Sequence, residues 1–134
     1  MTENRQSLIN NHEDLEVYQI AFNTAMKIFE TSKSFPKEET YSLTDQIRRS
    51  SRSVCANLAE VWRRRRYKGS FLLRLNDAEA EAEAAESQVW LKFAVKCQYL
   101  DIETARQLYS QYNQILGMIV KMTKNVDKWL LKKT

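Results

Sequence analysis

Four long α-helices folded up-down-up-down into one antiparallel bundle account for three features of this chain. Only two Gly and one Pro interrupt its 134 residues, too few for a turn-rich sheet. Apolar residues recur at helical spacings of three and four along four separate segments. The connections between those segments are short, so consecutive helices become antiparallel neighbours. The chain is expected to be all-α, with one bundle domain over 13–131, an N-terminal arm at 1–12 and a basic tail at 132–134.

In the first helix Leu15, Tyr18, Phe22, Ala25 and Phe29 form the apolar row, and Val17, Ala21 and Ile28 widen it. The only proline, Pro36, closes this segment. Ser42 followed by Asp45 reads as a capping box for the second helix. Leu43, Ile47, Val54, Leu58 and Val61 then share one face, and Arg65 falls on the same face. A core arginine is costly unless its head group reaches water, so packing should stop near Trp62 and the chain should break at Lys68-Gly69-Ser70.

The third helix is expected from Ser70 to Tyr99, with Leu72, Leu75, Ala78, Ala82, Ala85, Val89 and Phe93 inward. Its alanines favour helix and let a neighbour approach closely. Asp101 is a ready N-cap for the fourth helix. There Ala105, Leu108, Tyr112, Ile115, Ile119, Met122, Val126 and Trp129 alternate at three and four without a slip. Val17, Ile28, Trp90, Leu91, Leu116 and Val120 lie off the main seams, a surplus that points to a homo-oligomer.

No run approaches eighteen apolar residues, and MTENRQSLINNHEDL has no apolar leader, so a cytoplasmic protein without a membrane role is expected. One histidine, His12, with Cys55 and Cys97 cannot make a zinc site or a cysteine–histidine pair, and both cysteines read as small buried hydrophobes. There is no glycine-rich phosphate loop. No enzyme, catalytic residue, metal ligand or cofactor is expected.

The net charge of +4 is mild, but its distribution is uneven. Between Gln46 and Lys68, eight basic residues less Glu60 give +7; from Asn76 to Gln88, Asp77, Glu79, Glu81, Glu83 and Glu86 give −5. The second helix carries two polar rows. Gln46, Ser50, Ser53, Asn57, Glu60 and Arg64 keep heptad register beside the apolar face, which suits either a polar helix contact or a ligand site. Arg48, Arg52, Arg63 and, if the helix persists, Arg66 lie opposite that face. Together with Arg49, Arg64 and Lys68 they offer phosphate contacts, and Trp62 and Tyr67 offer rings for unpaired bases. The competing reading pairs these cations with Glu79, Glu83 and Glu86, within or between subunits, in a protein-only interaction scaffold.

Phe35-Pro36, Glu38-Glu39 and YSLTDQIRRSSRSVCANLAE (41–60) resemble the signature of the bacterial four-helix bundle family first noticed in intervening sequences of 23S ribosomal RNA genes. DLEVYQIAF and EAAESQVWLKFAVKCQYL are similar to the same family. The resemblance implies a homopentameric barrel with no established enzymatic activity. A distant relative, the accessory variability determinant of diversity-generating retroelements, implies binding to nucleic acid and to a reverse transcriptase. The polar positions that match the family are Gln46, Arg48, Arg49, Ser50, Ser53, Asn57 and Glu60. Val61 stands where the family usually has Gly, and the arginines after Trp62 depart from its pattern.

Overall fold

The computed structural model describes residues 10–76 and 79–130, without the side chains of 74–76. Most of the expected arm, the basic tail, Asp77 and the inward placements of Leu75 and Ala78 lie outside the described residues. A 3-10 turn at His12–Asp14 leads into α1 (Glu16–Ser32), and another at Lys37–Glu39 precedes α2 (Leu43–Arg63). Then follow α3 (Lys68–Asn76), α4 (Glu79–Lys96), α5 (Ile102–Lys124) and the single turn α6 (Val126–Trp129).

Helix α2 packs on α1 and α4, and α5 packs on the same two, so α2 and α5 stand across a diagonal of the bundle. Paired positions run in opposite directions. Glu39 meets Tyr99 while Ser50 meets Ser87; Phe29 meets Arg52 while Ser32 meets Arg48; Gln88 meets Asn113 while Lys92 meets Tyr109. Neighbouring long helices are therefore antiparallel, as the short connections require.

The expected inner faces of α2 and α5 are buried as read: Leu43, Ile47, Val54, Leu58 and Val61 on one, and Ala105 through Met122 on the other. Asn125 ends α5, leaving Val126 and Trp129 half-buried on α6 rather than on a continuous helix. Two other faces are rotated from expectation. On α1 the core positions are Val17, Ala21, Thr24, Ala25 and Ile28, with Phe22 48% exposed and Tyr18 and Phe29 half-buried. Small residues at 21, 24 and 25 let α2 and α5 close over α1, which pushes its aromatics to the flank.

On α4 the core face is Ala80, Ala84, Ser87, Leu91 and Ala94; Ala82, Ala85, Val89 and Phe93 point outward. Val17, Ile28 and Leu91 are thus core, while Val120 is exposed as expected and Phe22, Met26, Leu73, Val89, Phe93 and Ile102 join it among the exposed apolar residues. Of the expected third helix, the described residues comprise α3 and α4, on either side of 77–78. Its start comes earlier: the chain turns over Arg64–Tyr67, and Gly69 and Ser70 already sit inside α3. The turn follows directly from Arg65, which cannot continue the apolar face of α2 into the core.

The Ser42–Asp45 capping box does not form. The Ser42 hydroxyl donates to Glu39 Oε1 at 2.6 Å, and the Leu43 N–H donates to the same oxygen at 3.2 Å. Tyr99 O–H completes the site, donating to Glu39 Oε2 at 2.9 Å. At the other end of this contact, α4 stops with Gln98 at φ 65°, where Tyr99 N–H reaches Ala94 O at 2.8 Å and Gln98 N–H reaches Val95 O at 2.9 Å. This is a Schellman end built on a residue with a Cβ. Asp101 does cap α5, accepting from Thr104 N–H at 2.9 Å. Among the described residues no helix is long and apolar enough to cross a membrane.

Two outcomes are expected. Gln98→Gly removes the left-handed strain, and urea unfolding should show a gain of about 0.5–1 kcal/mol. Hydrogen bonds from Ser42, Tyr99 and Leu43 lower the Glu39 pKa. Its stabilising effect is therefore complete above the unfolded glutamate range, about 4.3, and is lost as pH falls through the lower folded value. Urea midpoints of the wild type and Glu39→Gln should differ at pH 6 and converge toward pH 3.

Candidate nucleic-acid interface

The outward face of α2 is set by helical geometry. With Ile47, Val54, Leu58 and Val61 turned inward, a rotation of about 100° per residue places Asp45, Arg48, Arg52 and Arg63 on the opposite side. An open groove of about 590 Å³ runs along the first half of this face, lined by Tyr41, Thr44, Asp45, Arg48, Arg49 and Arg52 among others. Tyr41 is 94% exposed.

The three arginines of the groove have different surroundings. Arg48 donates through Nε to Ser32 Oγ at 2.8 Å, and its guanidinium lies 4.8 Å from the centre of the Phe29 ring. Arg52 stands over the same ring at 5.8 Å and is exposed. Arg49 turns toward α4, bonding Glu86 Oε2 at 2.8 Å and approaching Glu83 at 3.9 Å. Glu86 also accepts from Trp90 Nε1 at 3.0 Å. Burial, then repulsion from Glu86, raises the Glu83 pKa, and Arg49 opposes that rise. Of the sequence-based pairings with acidic residues, the one through Arg49 is present within the subunit.

The arginine block is divided. Arg63 ends α2, and Arg64, Arg65 and Arg66 occupy the turn, so Arg66 does not continue the α2 row. Arg64 pairs with Glu60 at 3.6 Å, and Lys68 pairs with Asp127 at 3.0 Å. Arg65 folds back to donate to Trp62 O at 2.9 Å, with its guanidinium 3.5 Å from the Trp62 ring centre. Burial, followed by repulsion from Arg63 and Arg66, lowers its pKa. Trp62 is only 4% exposed. Its ring closes the core beneath Arg65 and has no open face for a base, which removes it from the sequence-based set of stacking residues. Tyr67 is 67% exposed and retains one.

In the polar row Ser50 makes a helix contact. Ser50 is buried and bonds Ser87 across the α2–α4 interface at 2.8 Å. Gln46 accepts from Arg49 at 3.2 Å, while Ser53, Asn57 and Glu60 are half-buried. Sequence reasoning missed Tyr41 because it lies in the turn ahead of α2, beyond the non-helical N-cap Ser42, where helical spacing gives no signal. The cysteines also differ from expectation, since Cys97 is exposed and only Cys55 is buried. Burial raises the Cys55 thiol to about 11. His12 packs edge-on against Tyr18 at 4.9 Å. Among the described residues no three His, Cys, Asp or Glu side chains gather as a metal site.

Arg65→Ala should destabilise the fold by about 0.5–2 kcal/mol, because it uncovers Trp62. Arg63→Ala and Arg66→Ala should change stability by less than about 0.5 kcal/mol. Thermal and urea unfolding of the three variants provide the comparison.

No match emerges among curated proteins. One similar solved structure is a protein of unknown function from the S23 ribosomal protein family of Bacteroides thetaiotaomicron, with a TM-score of 0.70 and 24% identity. The likeness covers 81% of this chain and 98% of that one and supports the shared fold. Over residues 13–121 the sequence also matches the model for the 23S rRNA-intervening sequence protein, and with that extent of agreement the chain belongs to this family.

Proposed function

We propose that this protein is a non-catalytic homo-oligomer, a pentamer, that binds RNA or another nucleic acid through backbone phosphates. In this reading it is a cytoplasmic accessory to a ribosomal-RNA or reverse-transcriptase complex. The observation that carries the proposal is the division of α2 into an apolar inner face and a basic outer face. Arg52 and Arg63 are exposed on that outer face, about 16 Å apart along the axis. Such a row can follow a phosphate backbone without reading its bases.

Arg48, Arg66 and Tyr67 extend the proposed contact surface. Arg49, Arg64 and Lys68 contribute less, because phosphate must displace a carboxylate from each. The exposed Phe22, Met26, Val89 and Phe93 support self-association. The same residues favour the second reading, a protein-only scaffold whose arginines bridge subunits.

Arg52 and Arg63 are the informative positions, since reversing Arg48 also disturbs its contacts with Ser32 and Phe29. The double variant Arg52→Glu/Arg63→Glu should lose RNA retention while keeping its oligomer mass. Single Arg→Ala changes should each flatten the slope of log affinity against log salt by about 0.7–0.9. Filter binding and light scattering on the same samples decide between the readings: intact binding sinks the phosphate surface, and a dissociated oligomer supports the scaffold.

A further inference from the structure

Building on the phosphate-surface reading, we infer that the bound nucleic acid is unpaired and that one nucleotide seats in the groove between Tyr41 and Arg52. Its base lies against the Tyr41 ring, and its flanking phosphates meet Arg48 and Arg52.

Tyr41 stands almost free of the fold on the turn before α2, although tyrosine carries a large apolar ring. It shares the groove with Arg48 and Arg52, which sit one helical turn apart, about 6 Å along the axis. The groove volume of about 590 Å³ falls in the usual range for small-ligand sites, about 300–1,000 Å³. Ring and charges therefore border a recess on the scale of a single nucleotide.

Arg48 is held ready for this role. Its Nε is committed to Ser32 and its plane rests near Phe29, so the two terminal nitrogens retain four N–H groups for phosphate. Arg52 lies near the same ring and can offer a second anchor. Arg49, tied to Glu83 and Glu86, forms the wall toward α4. Asp45 also lines the groove; its carboxylate disfavours phosphate beside it and can accept hydrogen bonds. That polarity directs phosphate toward Arg48 and Arg52, leaving the Asp45 end for a base amino group or a ribose hydroxyl.

A duplex cannot satisfy this arrangement. Its bases are paired and stacked on one another, so the Tyr41 ring would meet only backbone and groove edges. A single strand can turn out a base, and stacking on an aromatic ring then adds sequence-tolerant affinity.

The test uses fluorescence anisotropy on the full chain, with a labelled oligo-uridylate of about twelve nucleotides and an RNA duplex of equal length. The single strand should bind at least about tenfold more tightly. Tyr41→Ala should weaken it about 5- to 100-fold without altering duplex binding, whereas Tyr41→Phe should retain the affinity. Because Tyr41 is exposed, circular dichroism should show both variants folded. Unchanged single-strand affinity in Tyr41→Ala, equal losses in the Ala and Phe variants, or equal affinity for duplex overturns the inference. Uridine monophosphate binding as tightly as the oligomer overturns the strand assignment. Separately, no binding of either RNA at low salt, or binding indifferent to Arg52→Glu, removes the phosphate-surface reading and this inference with it.

Discussion

The hydrogen bond between Ser50 and Ser87 fixes the register on which the α2 surface depends. Their hydroxyls meet at 2.8 Å with both residues fully buried. Ser87 also donates back to Glu83 O at 3.0 Å, so the pair remains satisfied without water. A rotation or slip of either helix would break the bond between them, worth about 0.5–1.5 kcal/mol, and leave each hydroxyl only a carbonyl of its own helix, Ile47 O for Ser50 and Glu83 O for Ser87. Ala80, Ala84 and Ala94 extend the small-residue face of α4 and permit close approach. Once Ser50 is placed, its neighbour Arg49 must face Glu83 and Glu86. The remaining arginines of the helix follow outward.

The same helix pair is fastened again at its end. The left-handed residue Gln98 turns the chain so that Tyr99 leaves α4 pointing toward Glu39. Glu39 then receives the first groups of α2 and, through Tyr99, ties them to the last turn of α4. The Tyr99 hydroxyl is raised to about 12, chiefly by its bond to Glu39. Phe35 packs on the Tyr99 ring at 5.8 Å and covers the apolar side of this junction. A serine bond in mid-helix and a carboxylate at the end thus specify one alignment from two separated points.

These features explain which parts of the fold were readable in sequence. Helices α2 and α5 each offered one apolar row, and in both the row is the core. Helix α1 offered two overlapping rows, and side-chain size favoured Tyr18, Phe22 and Phe29 over the row containing Ala21 and Thr24. In α4, EAEAEAAE supplies alanine on several faces, while Ser87 and Gln88 make the true core side look polar. Neither phase can be chosen without a partner, because the decisive quantity is the fit of small residues against the opposing helix. That Arg48, Arg52 and Arg63 lie away from the inner face of α2 was readable from spacing alone. The loss of Trp62 and the position of Tyr41 were not, since one depends on Arg65 folding back and the other on the turn before the helix.

Consecutive arginines do not make a single surface on a helix or on the turn that ends it. Successive side chains are separated by about 100° in a helix, so neighbours in sequence enter different environments. Arg49 finds carboxylates, Arg48 finds a hydroxyl and a ring, and Arg65 shields a core tryptophan. Arg65 tolerates this position because its guanidinium can bond a carbonyl and stack while one edge remains accessible to water. The run Arg63-Arg64-Arg65-Arg66 therefore contains a structural residue in its middle. What α2 presents outward is the row begun by Arg48 and Arg52 and reached again at Arg63, because only those spacings return an arginine to the side opposite the core.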